Sequence, residues 1–481
     1  MLNKENIATV LLINSPWLTG KSFTIKEEYP QARFQLTALT KALVAKQRRH
    51  VIVTGLRRVG KTTLMKHAIS WLLEEGVPSG NIFYIPCDHP LMESAEISDI
   101  IDAIEINFTP QNPWYLFIDE VHLTKNWNAW LKVVYDQNSS LRIVATGSAS
   151  PVLVQGMSDS GLGRWHEINL PTMSFAEYCH LRNIEKIEMP SFPINTKELK
   201  LADLWKIIES TKVLQPYFLQ YMKEGGFPER SGADDLDYVD RLLYNDIFIT
   251  MLRRDLVRYL EIRKLDAFTR LFRYMIEKTG QIANLTDIAK ELGDISKDTV
   301  SEYLDYFCSF GLLYKAEMFD KGGKKILKAQ PKYHIADPAL YAIFHQDPLS
   351  DKTAAGNLVE SVVYKHIADF VSTGGTEIGY LRDKKNRDKE IDVVFDYNNT
   401  LNYIEVKYQD NAAPKEADAL MSLSRAKPEA NYYFLTKNSA DGGIHKKEDL
   451  SPIIVLPVHT FVYWVGIFRN SPYFGGLVNE N

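Results

Sequence analysis

The chain has 481 residues, of which 45% are hydrophobic and 24% charged, and a formal net charge of -5 at pH 7. A hydrophobic core stops growing beyond about 250–300 residues, so this length excludes one small domain and predicts about two to four domains. The slightly acidic balance excludes a globally basic nucleic-acid wrapper, so any nucleic-acid contact must be confined to a local basic surface. Cys87, Cys179 and Cys308 show no CxxC spacing, which predicts reduced thiols in a cytoplasmic protein and no zinc site.

No segment has the pattern of a signal peptide or a membrane span. Residues 7–13 are apolar, but Glu5 precedes them and no small-residue cleavage site follows. The apolar segment from Pro452 to Phe468 is shorter than a spanning helix and contains Pro457, which favours a buried strand and helix instead. We therefore expect no membrane partner.

The first predicted strand, His50–Thr54, leads through a glycine-rich loop into a predicted helix. The loop from Gly55 to Thr62 is a complete GxxxxGK[ST] motif in the strand-loop-helix context that it requires. Such a loop lets backbone N–H groups surround a phosphate chain, and the helix N-terminus adds its partial positive charge. Lys61 would reach the β- and γ-phosphates, and Thr62 would hold magnesium. The predicted nucleotide-binding residues are Gly55, Leu56, Arg57, Arg58, Val59, Gly60, Lys61, Thr62 and Thr63.

Three further apolar runs follow, at residues 82–85, 115–118 and 141–146, with helix-like segments between them. Runs this hydrophobic are typical of parallel strands that are buried on both faces. The alternation predicts a doubly wound α/β layer, a parallel sheet with helices on both faces. We assign residues 1–174 to this first domain.

Four polar residues near these strands are candidates for nucleotide hydrolysis. Asp119 and Glu120 directly follow the third strand, where Asp119 suits magnesium and Glu120 suits the base for water, although a solvated turn is the alternative. Ser148 follows the fourth strand and is placed to sense the γ-phosphate, but a plain turn serine fits equally well. Arg164, which follows a glycine-rich segment, is a candidate for neutralising charge during phosphoryl transfer, although most surface arginines are inert.

The middle of the chain is predicted to be helical. Residues 175–266 read as a helical lid or connector, interrupted by the sequence Gly225-Gly226-Phe227-Pro228. Residues 267–346 follow the order helix, helix, turn, helix, strand, which predicts a winged-helix-like domain. The outer face of its third helix is mixed in charge, so packing against other domains fits the sequence as well as DNA binding does.

Residues 347–481 read as a second α/β domain, beginning with a helix from Asn357 to Phe370. Strand alternation puts Glu405 and Lys407 on one face of a later strand, where a simple ion pair is one interpretation. The charged segment from Arg382 to Lys389 suits a phosphate backbone, although such runs are usually solvated loops.

The loop at Gly55–Thr62, the strand Leu116–Glu120 and the segment Ala145–Ser148 resemble the AAA-type ATPases of the additional-strand class. With Gly225–Glu229 and Arg254–Leu256, the chain looks more narrowly like a prokaryotic family of predicted ATPases joined to a further C-terminal domain. This resemblance implies that the nucleotide is ATP, with magnesium, and that the appended module is nuclease-like.

The C-terminal set of Glu360, Asp392, Glu405 and Lys407 resembles the PD-(D/E)XK nuclease fold. In that resemblance Asp392 and Glu405 would bind magnesium, Lys407 would orient or polarise the attacking water, and Glu360 would assist from its helix. The implied chemistry is metal-assisted hydrolysis of a phosphodiester in DNA or RNA.

Two functions follow from these patterns. The first is an ATPase whose nucleotide state repositions a C-terminal half that faces nucleic acid. The second is a nucleotide-controlled binding or signalling protein with a catalytically inactive nuclease fold. We expect a monomer or small homo-oligomer, and a role for Arg164 between subunits would require assembly.

Overall fold

The computed structural model describes residues 4–147, 163–256, 260, 262–293, 295–345, 347–372, 376–383 and 389–468. The chain divides into two compact units, residues 1–171 and 172–481. Both units combine helices with a sheet, which confirms the predicted multidomain α/β class. No helix within these ranges is both long and apolar enough to cross a membrane.

The first unit is built on a five-stranded parallel sheet. Its strands are β1 (His50–Thr54), β2 (Ile82–Pro86), β3 (Trp114–Asp119), β4 (Leu141–Thr146) and β5 (Trp165–Asn169). The spatial order is β2-β3-β4-β1-β5, so β4 lies between β1 and β3. Because all five strands are parallel, the carboxyl ends of β1, β3 and β4 meet at one edge of the sheet. Within residues 4–147 and 163–171, the α-helices of this unit are Lys4–Asn14, Leu36–Val44, Lys61–Glu74, Ile97–Phe108 and Trp127–Gln137.

The core of this unit follows from the apolar runs in the sequence. Every residue of β1 and β3 is buried, as strands covered by helices must be. The helix Lys4–Asn14 contacts the helix Ile97–Phe108 and contributes Ile7, Val10 and Leu11 to the same core. The N-terminal apolar run is therefore part of the packed unit.

The second unit begins with helices. They are Phe175–Leu181, Leu201–Thr211, Gln215–Glu224, Leu236–Tyr244 and the π-helical Asn245–Asp255. The helix Gln215–Glu224 ends where the sequence predicts a break, at Gly225, whose φ of 77° favours glycine.

Three helices and a hairpin follow. The helices are Leu265–Glu277, Leu285–Leu292 and Lys297–Ser309, and the antiparallel hairpin consists of β6 (Leu313–Phe319) and β7 (Lys332–Ile335). The element order is the one expected from the sequence, but β6 also pairs in parallel with β8 (Ile378–Arg382). The hairpin therefore belongs to a larger sheet, and the domain boundary drawn at residue 346 stays a prediction.

That larger sheet has eight strands in the order β12-β13-β11-β10-β9-β8-β6-β7. The remaining strands are β9 (Glu390–Tyr397), β10 (Thr400–Lys407), β11 (Asn431–Thr436), β12 (Gly443–His445) and β13 (Ile453–Pro457). The remaining helices are Pro338–Ala342, Lys352–Val371, Ala419–Ala426 and Val458–Phe468. The apolar segment after Pro452 forms β13 and the last helix, which confirms the sequence-based expectation.

Candidate functional site: a phosphate-binding loop and an acidic cluster

The GxxxxGK[ST] loop connects the carboxyl end of β1 to the helix Lys61–Glu74. Gly55 has a φ of 145°, and a Cβ there would lie 2.2 Å from the Leu170 carbonyl oxygen, so only glycine fits. Gly60 has a φ of 91° and turns the chain into the helix. The backbone therefore has the tight shape that brings N–H groups to one point at a helix N-terminus.

Lys61 is folded back onto this loop. Its Nζ donates to the carbonyl oxygens of Gly55 at 2.9 Å and Leu56 at 2.8 Å. Burial lowers the pKa of Lys61 to about 8, against the opposing effect of Glu120 and Asp119. The side chain thus retains its charge at pH 7 beside the space where phosphates would lie.

Asp119, at the end of β3, accepts hydrogen bonds from three hydroxyl groups. The Thr62 hydroxyl donates to Oδ2 at 2.6 Å, the Tyr84 hydroxyl donates to the same oxygen at 3.0 Å, and the Thr146 hydroxyl donates to Oδ1. Burial and the Asp119 carboxylate raise the pKa of Tyr84, so its hydroxyl stays a donor. Thr62 and Asp119 together offer the oxygen ligands that magnesium prefers, and the donor set fits that ion.

Glu120 is held in an unusual backbone conformation next to Asp119. Its φ is 52°, and its N–H donates to the Thr146 hydroxyl at 3.3 Å. Its Oε2 lies 3.3 Å from Nδ1 of His122, and 24% of its side chain is exposed. A left-handed non-glycine residue at a strand end is a strained arrangement of the kind that occurs at functional sites.

Of the other two predicted ATPase residues, the structure describes only Arg164. Ser148 lies outside the described residues. The carbonyl oxygen of Arg164 accepts from the His50 N–H at 3.0 Å, at the start of β1, and the Arg164 side chain pairs with Asp136 at 2.9 Å. The length of β1, four residue steps of about 3.3 Å or roughly 13 Å, separates that point from the loop. Arg164 therefore lies at the opposite end of β1 from the loop, and its role in hydrolysis stays a prediction.

The second unit brings the four predicted C-terminal residues into one region. The Val406 N–H on β10 donates to Asp392 Oδ2 at 2.7 Å, so the two strands meet at this carboxylate. Lys407 Nζ lies 3.1 Å from Glu405 Oε1, whereas the buried Glu405 Oε2 has no hydrogen-bond partner within the described ranges. Burial raises the pKa of Glu405 to about 7, although Lys407 opposes this. The helix Lys352–Val371 supplies Glu360.

Two further charged residues at this site were missed by the sequence analysis. Oxygens of Glu360, Glu390 and Asp392 lie within 4.8 Å of one another. The Lys332 ammonium lies 2.9 Å from Glu360 Oε1 and also pairs with Glu390 Oε1. Glu390 could have been found, because it is two residues before Asp392 on the same strand face. Lys332 could not, because it lies on β7, an edge strand of the sheet that precedes β9 in the chain and carries no motif.

Residues 47–179 match the family model of an AAA domain. Residues 215–350 and 355–459 match two models described as domains of unknown function, DUF8612 and DUF4143. A Haemophilus influenzae protein is 24% identical over 387 residues, covering 77% of this chain and 86% of that protein. The protein MJ1637 of Methanocaldococcus jannaschii is 25% identical over 350 residues, covering 70% of this chain and 72% of its own length. Both are described as uncharacterized.

The residues that carry the GxxxxGK[ST] loop are therefore similar to AAA-type P-loop ATPase domains. Among solved structures, a Walker-type ATPase of Pyrococcus abyssi gives a TM-score of 0.34 at 13% identity, covering 66% of this chain and 95% of that one. Aeropyrum pernix ORC1 in complex with DNA gives a TM-score of 0.27 at 12% identity, covering 68% and 94%. These scores are too low to support any further argument.

The first unit contains a positioning residue without a sequence signature, Arg33. Its buried guanidinium donates to the carbonyl oxygen of Val59 in the phosphate-binding loop and to that of Pro171 at 2.7 Å. Arg33 thereby ties the phosphate-binding loop to the segment at Pro171. Its partners lie 26 and 138 residues away, and no local pattern could have identified them.

Proposed function

We propose that the protein is a cytoplasmic, magnesium-dependent ATPase whose nucleotide state controls its C-terminal half. The observation that carries the ATPase proposal is the hydrogen bond between Thr62 and Asp119 at the carboxyl edge of the sheet. It joins the motif residue that would hold magnesium to the carboxylate that would share it. In this arrangement Thr62 and Asp119 would hold the ion, which would supply positive charge to offset that of the phosphate groups.

Each remaining residue of the site has a separate role in the proposal. Lys61 exchanges its bonds to the Gly55 and Leu56 carbonyls for the β- and γ-phosphates. Glu120, with its partly exposed carboxylate, accepts a proton from the attacking water. Tyr84 and Thr146 keep Asp119 oriented through their hydroxyl groups.

Titration calorimetry with ATP and with GTP at millimolar magnesium tests this assignment. We expect heat of binding with ATP. If neither nucleotide gives a signal, the proposal that the loop binds a triphosphate is wrong.

Control of the C-terminal half is supported by contacts on the segment that links the two units. On one side Arg33 connects the loop residue Val59 to Pro171. On the other side Lys365 Nζ donates to the carbonyl oxygens of Thr172 at 3.2 Å and Met173 at 2.7 Å. Residues 171 and 172 are consecutive, so in this proposal the effect of the nucleotide would pass from one unit to the other through this stretch of the chain.

For the C-terminal half we propose a PD-(D/E)XK-like domain that faces DNA or RNA. The first support is the order of elements along the chain, which is a helix, the strands β8, β9 and β10, a second helix and β11. The second support is that Asp392, Glu405 and Lys407 lie close together. Three helices followed by the β6-β7 hairpin support the neighbouring winged-helix-like assignment. The charged residues 384–388 lie outside the described residues.

Incubation of plasmid DNA with the protein and manganese or magnesium, with and without ATP, tests for cleavage. If the domain is active, cutting must depend on the metal and disappear in Asp392→Ala and in Lys407→Ala. Cutting that persists in both variants would identify a contaminant. Binding without cutting would favour the second function, a nucleotide-controlled binding protein with an inactive nuclease fold.

Measuring the molecular size with and without a slowly hydrolysed ATP analogue would show whether subunits assemble, as a role for Arg164 between subunits requires.

A further inference from the structure

The ammonium of Lys332 lies among carboxylates that would otherwise attract a metal ion. Oxygen atoms of Glu360, Glu390 and Asp392 lie within 4.8 Å of one another. That separation is up to twice a metal–oxygen distance of about 2.1–2.4 Å, so these oxygens are close enough to bind one cation between them. The Lys332 ammonium makes direct ion pairs with two of these carboxylates. Its side chain is only 4% exposed, so water does not compete for these contacts.

The rest of the surroundings hold Lys332 in place. Its Nζ lies 5.3 Å from the centre of the Tyr380 ring, a favourable position for a cation over an aromatic face. The Tyr380 hydroxyl donates to the Gln330 carbonyl at 2.6 Å, which fixes the chain just before β7. The neighbouring Tyr333 carbonyl accepts from the Gly280 N–H at 2.9 Å. Lys332 is therefore part of a packed strand and not of an exposed arm.

A divalent metal in the same space would meet two positive charges. One is Lys332 itself, and the other is Arg382, whose Nε lies 3.6 Å from Glu390 Oε2. A free ion would also lose translational freedom on binding, whereas the lysine is already tethered by the chain. The nearby carboxylates outweigh the effect of burial and raise the pKa of Lys332, so its charge persists at neutral pH.

We propose that Lys332 is a built-in cation that occupies the cluster of Glu360, Glu390 and Asp392 and excludes a divalent metal from it. The inference is independent of the ATPase proposal. If the cluster is closed to metals in this way, any metal in the C-terminal domain would be bound by Asp392 together with Glu405. It also makes Lys332 a positioning residue that holds β7, β9 and the helix Lys352–Val371 together without a bound ion.

Counting bound Mn²⁺ on the full chain without nucleotide, by electron paramagnetic resonance, tests the proposal. Lys332→Met should bind one more Mn²⁺ than the wild type, and Mn²⁺ should raise the Tm of the variant. Lys332→Arg, which keeps the cation, should match the wild type. The double variant Lys332→Met/Glu390→Gln should lose the additional ion.

The single variant Glu390→Gln keeps the test decisive if Lys332→Met does not fold. Glu390 belongs to the cluster but is not one of the two residues, Asp392 and Glu405, that are proposed to bind a metal. If the wild type and Glu390→Gln bind the same number of Mn²⁺ ions, the cluster holds no metal in the native protein, as proposed. If Glu390→Gln loses an ion that the wild type binds, a metal lies beside Lys332 and the proposal is overturned.

Discussion

Lys61→Ala is expected to abolish ATP hydrolysis by weakening ATP binding, whereas Glu120→Gln is expected to bind ATP and fail to hydrolyse it. Removing the Lys61 ammonium takes away the charge that would pair with the β- and γ-phosphates in a buried setting. Loss of one partner from such a charge pair costs about 2–5 kcal/mol, or roughly 30-fold or more in Kd. Glutamine at 120 keeps the shape of the side chain but cannot accept the proton from water, and loss of a general base costs about 100- to 10,000-fold in kcat.

Calorimetry and phosphate release separate the two effects. Lys66→Ala is the matched control, because Lys66 is on the same helix, is partly exposed and has no role in the proposed site. It should bind and hydrolyse ATP like the wild type. Normal turnover by both Lys61→Ala and Glu120→Gln would contradict the roles assigned here.

The phosphate-binding loop could be predicted from the sequence because its determinants are local. Gly55, Gly60 and Lys61 set the backbone shape and the charge within a few residues, and the flanking strand and helix have strong patterns. Asp119 was also predictable, since it directly follows an apolar strand of the same sheet. The sequence could not show that Tyr84 donates to Asp119, because a tyrosine on a buried strand is usually an ordinary core residue.

The errors in element boundaries also have physical causes. The helix expected to begin at Asn357 begins at Lys352, where the Asp351 side chain accepts from the Ala354 N–H at 2.7 Å. The sequence around Asp351 is typical of a loop, so this N-cap was not recognised from the sequence. The strand β6 extends beyond the short apolar run 311–314 to Phe319, because β8 provides a partner more than 50 residues later in the chain. Strand pairing at such a separation leaves no local signal.

Lys332 and Arg33 show the same limit for single charged residues. Each has its partners on segments that are distant in sequence, and each is buried. A lone basic residue in a sequence is most often solvated, so composition argues against such a role. Only the fold shows that these two cations hold other groups of the proposed sites in place.

Lys365→Met is expected to destabilise the second unit by about 3–5 kcal/mol. Lys365 and Asp337 are both fully buried, with Lys365 Nζ 3.6 Å from Asp337 Oδ2. The same ammonium donates to the carbonyl oxygens of Thr172 and Met173. Methionine has a similar length but no donor, so it would leave a buried carboxylate without its counter-charge and two carbonyl groups with fewer partners. Denaturant unfolding measures the difference, and Lys352→Met, an exposed position on the same helix, should change the stability little.

A double variant distinguishes a lost ion pair from a simple packing defect. Asp337 accepts from the Gly226 N–H at 2.9 Å and from the Ala339 N–H at 2.9 Å, so asparagine at 337 retains an acceptor for them but no charge. If the unpaired buried charge causes the loss of stability, Lys365→Met/Asp337→Asn should lose clearly less free energy of unfolding than the two single variants lose together. If the losses in free energy of unfolding simply add, the pair is not coupled, and Lys365 acts only through the carbonyl groups of the linking segment.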